Sequence, residues 1–353
     1  MAAMTDATED GPAGPLVLVT GASGFIAQHV ILQLLDKGYR VRGTLRRLDK
    51  APDLRAAFAA HSDRAAGLDF AAVDLGADDG WAEAMEGVSF VQHVASPFPP
   101  NQPKDPEELI APARDGALRA LGFARAAGVK RVVLTSSMAA VAYGHAPDRP
   151  AMADETHWSN PDNLADNTAY TRSKTIAERA AWAFMDSDGG PMELATINPS
   201  AVLGPLVGRD GSASLELVTQ LLTGKVPAYP DFGFEIVDVR DVAAAHLLAM
   251  ERPEAAGERF LVSADYMMFR EIGDVLKATL PDRARKIPSR NLPSWLFRLL
   301  ATVTPAMQQV IPELGVRRRV SADKARRMLG WSARPPAESV RDCARDLIGK
   351  GLV

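Results

Sequence analysis

A short apolar strand that stops at a glycine-spaced turn and continues as a helix is the feature that most constrains this chain. Residues 17–20 read VLVT and residues 21–24 read GASG, and apolar side chains then recur at helical spacing from Ile26 to Leu35. Gly38 follows as a helix-ending glycine. A strand, a glycine-rich turn and a helix in this order direct backbone amides and the positive end of the helix dipole toward one point. The segment therefore predicts an anion-binding turn at the first strand of an α/β fold.

The small residues of this turn have distinct predicted tasks. Gly21 permits the tight turn, Gly24 lets the backbone approach a pyrophosphate, and Ala27 keeps the helix close to the strand. The alternative is an ordinary strand-to-helix turn that needs glycine for its backbone conformation alone. The position of the motif at the first strand favours the dinucleotide-binding interpretation.

Composition limits the classes of protein that the chain can belong to. Among 353 residues, 47% are hydrophobic and 24% are charged, which is typical of a globular protein. A net charge of −4 argues against a general nucleic-acid-binding surface. Cys343 is the single cysteine, so an intramolecular disulfide is excluded, and the six histidines lack the spacing of a metal site. With neither a signal sequence nor a long apolar run, we expect a cytoplasmic protein without a membrane span.

Apolar runs alternate with helical patterns after the first unit. The predicted strands are residues 39–45, 68–73, 88–94, 131–136 and 193–197, and the predicted helices are residues 53–60, 81–85, 107–127 and 168–185. This alternation predicts a parallel sheet covered on both faces, with the ligand at the carboxyl edge of the strands. Beyond Gly204 the pattern loosens, and we expect only one more strand, residues 258–263.

The predicted fold class is therefore α/β, a doubly wound parallel sheet of the Rossmann type with a smaller C-terminal substrate-binding lobe. We expect residues 1–15 to be a flexible leader and residues 16–200 to form the dinucleotide-binding domain, to which residues 236–263 return. Residues 201–235 and 264–353 are expected to form mainly the lobe.

A tyrosine and a lysine at helical spacing are the first candidate catalytic residues. Tyr170 and Lys174 stand at i and i+4, so they share one face of the predicted helix. A nearby ammonium favours phenolate and is expected to lower the pKa of the tyrosine toward neutrality. The pair Ser136-Ser137 ends the fifth predicted strand, where a hydroxyl could donate to a substrate carbonyl. The alternatives are an exposed tyrosine beside a solvated lysine, and a serine pair that caps the next helix.

These pieces together resemble the extended short-chain dehydrogenases/reductases. The nearest relatives by motif are the dihydroflavonol-reductase and cinnamoyl-CoA-reductase group and the methylglyoxal/aldehyde reductases of yeast. The matching segments, which span most of residues 16–250, are TGASGFIAQHV at 20–30, HVASPF at 93–98, RVVLTSSMAAV at 131–141, AYTRSKTIAERAAW at 169–182, INPSAVLGP at 197–205 and VDVRDVAAAHL at 237–247.

The resemblance implies a role for each matching residue. Tyr170 would be the proton donor, Lys174 its pKa-lowering and ribose-binding partner, and Ser137 the residue that orients the carbonyl. The residues that it places at the cofactor are Gly21, Ser23, Gly24, Phe25, Ile26, Asp74, Leu75, Ala95, Ser136, Lys174 and Pro199. Candidate substrate-lining residues, mostly apolar or small, are Ser96, Phe98, Met138, Tyr143 and Ala201, with Leu203 beside them. Asp115 stands where relatives often carry asparagine, and we assign it no catalytic role.

The end of the second strand decides between NAD and NADP. An acidic side chain there would bind the ribose 2′-hydroxyl and repel a 2′-phosphate. This chain instead carries Arg46 and Arg47, with no acid before Asp49. Planar guanidinium groups suit a phosphate, although a solvated surface pair is the alternative. We predict NADPH as the cofactor.

The sequence thus predicts an NADPH-dependent reductase that converts aldehyde or ketone carbonyls to alcohols, reversibly, by a Ser-Tyr-Lys mechanism. The expected partner is a small-molecule carbonyl substrate, and neither nucleic acid nor membrane is expected. The chain would act as a monomer or homodimer. Two alternatives remain open, a nucleotide-sugar epimerase or dehydratase with bound NAD and a non-catalytic NADP-sensing protein.

Overall fold

The computed structural model describes residues 14–97, 105–208, 213–302, 304–308 and 310–353. Residues 1–13 of the predicted leader lie outside this part of the chain, as does Phe98 among the candidate pocket residues.

A seven-stranded parallel sheet forms the centre of the molecule. Its strands are β1 (Leu16–Val19), β2 (Arg40–Leu45), β3 (Leu68–Ala72), β4 (Val88–His93), β5 (Arg131–Thr135), β6 (Glu193–Pro199) and β9 (Arg259–Val262). Their order across the sheet is β3-β2-β1-β4-β5-β6-β9, and every neighbouring pair is parallel. The order reverses direction at β1, which is the doubly wound arrangement. The predicted fold class is confirmed.

Helices cover both faces of this sheet. The helices are α1 (Phe25–Asp36), α2 (Ala51–Ala59), α3 (Trp81–Met85), α4 (Glu107–Ala126), α5 (Ala169–Asp188), α6 (Ala213–Thr223), α7 (Val239–Glu251), α8 (Phe269–Thr279), α9 (Ser294–Ala301), α10 (Pro305–Gln308) and α11 (Pro336–Gly349). On one face α1 packs against α7, and on the other α4 packs against α5. Because both faces are covered, a strand such as β5 is buried at all its positions.

A second, three-stranded sheet was not predicted. It consists of β7 (Ala201–Leu203), β8 (Gly233–Asp238) and β10 (Asp265–Met268), in the order β10-β8-β7. The expectation of a single strand after Gly204 is therefore wrong. Residues 236–238, expected above to return to the dinucleotide-binding domain, belong to β8 of the small sheet. Helices α6, α8 and α11 pack on and around this second sheet.

The carboxyl ends of β1, β4, β5 and β6 lie at one edge of the large sheet because these strands are parallel. The chain that follows them carries the glycine turn, the Ser136-Ser137 pair and the loop that leads to α5. Thr168 caps α5 through a reciprocal hydrogen-bonded box with Thr171, which fixes Tyr170 in the first turn of the helix. Within the described ranges, no helix combines the length and the apolar character that crossing a bilayer requires.

Candidate active site

The glycine turn has a backbone shape that larger residues would not tolerate. Gly21 adopts a φ of +68°, and a Cβ atom there would lie 3.0 Å from the Cβ atom of Ala95. The amide of Gly24 donates to the carbonyl of Gly21 at 2.8 Å, which closes the turn. Helix α1 then begins at Phe25, and no described side chain caps its N-terminus. A helix start of this kind is suited to bind an anion.

Two threonines that sequence analysis did not select hold this turn in place. The Thr44 hydroxyl accepts from the amide of Gly21 at 3.1 Å. The Thr20 hydroxyl accepts from the amide of Ala95 at 3.0 Å and is hydrogen-bonded to Nδ1 of His93. The ends of β1, β2 and β4 are thereby joined around the turn, which places Ala95 beside it as predicted.

A cavity of about 440 Å³ lies next to the turn at the end of β2. Its lining residues are Ser23, Leu45, Arg46, Arg47, Asp49, Lys50 and Asp74. The guanidinium of Arg47 pairs with Asp49 at 2.8 Å, and both side chains are largely exposed. Three cationic side chains therefore surround one cavity, and Lys50 is a member that the sequence analysis missed. Leu75, predicted with Asp74, packs against α4 at Gly116.

The serine, the tyrosine and the lysine meet at the carboxyl edge of the sheet. The Ser137 hydroxyl accepts from the amide of Ala139 at 3.1 Å and so caps a 3₁₀ turn over Met138–Ala140. The same side chain is hydrogen-bonded to the phenol of Tyr170. The Nζ atom of Lys174 lies 5.8 Å from the centre of the tyrosine ring. Ser137 thus caps the following turn, which was the alternative, and also contacts the tyrosine.

Burial controls the protonation of this group. It raises the pKa of Tyr170 above 10, and the hydrogen bond to Ser137 only partly opposes that rise. This direction is contrary to the prediction that the ammonium brings the phenol toward neutrality. Burial lowers the pKa of Lys174 to about 8, and the nearby carboxylate of Glu178 opposes that fall. In this arrangement the tyrosine is a phenol at neutral pH, and the lysine is its buried cationic neighbour.

Several of the predicted site residues line a small cavity of about 20 Å³ beside Lys174. Ala95, Ser96, Ser136 and Lys174 line it together with His93. The His93 side chain is buried, and this burial lowers its pKa to about 4. The buried histidines of this chain are His29, His93 and His246, and burial lowers the pKa of each to about 4. All three are therefore neutral at pH 7.

The candidate substrate residues lie in different surroundings. Met138 and Tyr143 pack against one apolar cluster that includes Val141 and Leu261. Burial raises the pKa of Tyr143, whose ring lies 4.1 Å from the guanidinium carbon of Arg318. Ala201, in β7, is partly exposed, and Pro199 is the buried last residue of β6. Leu203 is 3% exposed and belongs to the main core.

A segment near the C-terminus, Glu313 to Arg318, lies beside the candidate substrate residues. Arg318 reaches the loop before α5 and pairs with the buried carboxylate of Asp166 at 2.7 Å. Arg149 pairs with the same oxygen at 2.6 Å, and Glu313 pairs with Arg318 at 3.0 Å. We call Arg149, Asp166, Glu313 and Arg318 the loop clamp. Its members are spread over the sequence without a recognisable spacing, so the sequence could not predict it.

The Asp238-Arg240-Asp241 segment stabilises the fold away from this edge. Asp238 is fully buried and caps α7 through the amide of Arg240. Arg240 extends the cluster to Asp342 of α11 at 2.7 Å, and the carboxylate of Asp241 accepts from the amide of Arg334. These charges connect α7 to α11 and to the segment that leads into it.

Comparison with known proteins gives consistent results. Residues 17–263 match the model of the NAD dependent epimerase/dehydratase family. Ketoreductase azaE of Aspergillus niger is 34% identical over 78% of this chain and 86% of its own length. Cinnamoyl-CoA reductase 1 of Petunia hybrida is 38% identical over 76% of this chain and 78% of its own length. Among solved structures, yeast methylglyoxal/isovaleraldehyde reductase Gre2 complexed with NADPH is 28% identical with a TM-score of 0.77, over 96% of this chain and all of that one.

Proposed function

The chain belongs to the NAD dependent epimerase/dehydratase family and is an NADP-dependent oxidoreductase, and we propose that it reduces an aldehyde or ketone through Ser137, Tyr170 and Lys174. The observation that carries this proposal is the hydrogen bond between Ser137 and the phenol of Tyr170, with the Lys174 ammonium over the same ring. The resemblance to a ketoreductase and to a methylglyoxal/isovaleraldehyde reductase supports the same reaction class.

The residues present fit a dinucleotide with a 2′-phosphate. Gly21 brings the backbone of the turn close to the start of α1, where a pyrophosphate would lie against first-turn amides. Arg46, Arg47 and Lys50 line the neighbouring cavity, where cationic side chains would pair with the phosphate on the ribose. The ammonium of Lys174 would bind the other ribose near Tyr170.

The catalytic side chains would then transfer a proton to the carbonyl oxygen. Bound NADPH supplies the hydride that reduces the carbonyl carbon. Ser137 would hydrogen-bond the carbonyl oxygen and hold it near the phenol of Tyr170. Because its pKa is raised, Tyr170 keeps its proton until that oxygen gains charge and takes it. Lys174 would stabilise the phenolate left behind, and in the opposite direction the phenolate would accept the proton of the alcohol.

The proposed substrate carries an apolar or aromatic part next to its carbonyl group. Met138 lies on the turn that Ser137 caps and Tyr143 follows that turn, and both side chains pack against one apolar cluster. Ser96 and Ala201 would complete the pocket with small side chains. This surrounding favours aldehydes and ketones with aliphatic or aryl substituents.

The test is NADPH consumption, followed by absorbance, with aldehydes, 2-ketoaldehydes, aryl ketones and diketones, and with NADH in parallel. We expect turnover with NADPH and a Tyr170→Phe variant that binds NADPH but turns over about 10²–10⁴-fold more slowly. Tyr39→Phe is the matched control, because its phenol hydrogen-bonds Glu251 away from the site and its loss should leave turnover unchanged. Near-normal turnover of Tyr170→Phe would refute the mechanism. Tightly bound NAD in the purified protein, with turnover of nucleotide sugars only, would favour the epimerase alternative.

A further inference from the structure

Glu178 is a buried carboxylate that the reaction scheme above does not use. It stands one helical turn after Lys174 on α5 and is 1% exposed. Its Oε2 atom accepts from the Ser136 hydroxyl at 2.5 Å and from Nδ2 of Asn198 at 2.7 Å. Asn198 also donates to the backbone carbonyl of Ser137 at 3.1 Å. This oxygen therefore connects α5 to the strand end that carries the candidate catalytic serine.

The second oxygen of Glu178 faces away from the site. Oε1 accepts from Nε of Arg259 at 2.6 Å and from the Thr196 hydroxyl at 3.1 Å. Arg259 is itself buried against the ring of Trp158, 3.6 Å from its centre. Nη1 of Arg259 donates to the carbonyls of Glu155 and His157 in the loop before α5. One carboxylate thus has a site-facing oxygen and a scaffold-facing oxygen.

The charges around Lys174 make the carboxylate important to its protonation. On α5 the ammonium has Tyr170 on one side, as a neutral phenol, and Glu178 on the other. From β4 it faces His93, which is neutral at pH 7. Arg259, on β9, lies behind Glu178 and partly offsets its charge. Glu178 is therefore the acid whose charge opposes the fall in the pKa of this buried ammonium.

We propose that Glu178 is a positioning residue of the reductase, which fixes Ser136 and Asn198 at the strand end and balances the charge of Lys174. The expected change in turnover rests on the proposed function, whereas the expected change in the titration of Lys174 does not. An amide at position 178 would keep the shape and lose the charge. The ammonium would then lose its proton at lower pH, and the strand end that holds Ser137 would lose an ionic hydrogen-bond acceptor.

The experiment compares Glu178→Gln with Thr196→Val, which removes hydrogen bonds to the scaffold-facing oxygen and to Oδ1 of Asn198 but keeps the charge at position 178. The ammonium of Lys174 is titrated in the cofactor-free protein by side-chain nitrogen NMR, with its signal assigned by its loss in Lys174→Met. The pH profile of NADPH turnover is recorded beside it. We expect Glu178→Gln to lower the titration midpoint and the alkaline limb of kcat by about one pH unit. Thr196→Val should leave both where they are in the unaltered protein.

The lysine titration and the turnover assay distinguish a failure of this inference from a failure of the proposed function. Equal midpoints in all three proteins would overturn the inference and leave Glu178 a structural residue, whatever the turnover assay gives. If no carbonyl compound is turned over, the proposed function fails while the lysine titration still tests the inference. If Glu178→Gln does not fold because Arg259 is left unpaired, Glu178→Gln/Arg259→Gln removes both charges. This double variant should fold and show a midpoint that is still lowered, by less than in Glu178→Gln because the opposing charge of Arg259 is also removed. An unchanged midpoint in it would also overturn the inference.

Discussion

The two arginines of the loop clamp should contribute very differently to stability although both bind one oxygen of Asp166. Arg149 and Arg318 approach Oδ1 at 2.6 and 2.7 Å. The Arg149 side chain is 33% exposed, whereas Arg318 is 4% exposed and also pairs with Glu313. Solvent screens the first pair and hardly reaches the second.

The expected magnitudes follow from this difference in burial. Arg318→Met keeps an apolar chain of similar length over Tyr143 and leaves a carboxylate that is 1% exposed with one charged partner. Breaking a buried ion pair typically costs about 3–5 kcal/mol. We expect about 3 kcal/mol, because Arg149 still pairs with Asp166. Arg149→Met should cost about 1 kcal/mol or less, as a partly exposed pair does.

The measurement is urea-induced unfolding of both variants at pH 7, with Asp166→Asn followed as a function of pH. Burial acts to raise the pKa of Asp166, but hydrogen bonds from Arg318 and Arg149 outweigh it and lower the pKa to about 2. The charge of Asp166 then contributes about 2 kcal/mol that is fully present above about pH 4. This contribution disappears as the pH falls through about 2. Equal losses for the two arginine variants, or a larger loss for Arg149→Met, would refute the argument from burial.

Three further outcomes are expected. Arg46→Glu should weaken NADPH binding far more than NADH binding. Arg47→Glu should have a smaller effect, because it removes an exposed side chain that already pairs with Asp49. Equal losses of NADPH and NADH affinity in Arg46→Glu would contradict the cofactor assignment. Gly21→Ala should lower both thermal stability and the affinity for NADPH measured by fluorescence titration, because alanine is strained at the φ of +68° found there. An unchanged affinity would argue against a cofactor at this turn. Between about pH 4 and 6.5 the three buried histidines bind protons in the unfolded protein but not in the folded one. The free energy of unfolding should therefore fall by about 2 kcal/mol for each histidine by pH 5. A free energy of unfolding in urea that does not change from pH 7 to pH 5 would be inconsistent with their burial.

Local sequence signals were sufficient for the large sheet. Most of its strands are short apolar runs bounded by a helical pattern, whereas β2 alternates between apolar and polar residues. The predicted bounds differ from the observed ones by at most two residues, as for the strand predicted at 39–45 and observed at Arg40–Leu45. The glycine turn and the Tyr170 helix were also predictable, because their chemistry is encoded at fixed short spacing. The small sheet was not, because β7 has three residues and pairs with β8 across a helix and a loop. Periodicity over three residues does not distinguish a strand from a loop.

The environment of the site could not be predicted from the sequence for a different reason. The sign of the pKa change of Tyr170 depends on burial, and burial depends on segments that are distant in the chain. Asp166 and Arg318 are 152 residues apart, and Glu178 meets Arg259 across 81 residues. A single sequence contains no signal for such pairs, since any carboxylate could match any guanidinium. Glu178 could have been noticed only as a charged residue on the face of α5 that carries Lys174.

The loop clamp has a consequence for the order in which the molecule can be completed. A ribosome adds about 5–20 residues per second, so Asp166 precedes Arg318 by roughly 8 to 30 seconds of synthesis. For most of that interval the residues of β5, Ser137 and α5 have already been synthesised, while the loop before α5 lacks Arg318, its most buried partner. The side of the site beside Tyr143 is therefore closed only after Arg318 has been synthesised. A nascent molecule would have its glycine turn complete well before its pocket had a fixed shape.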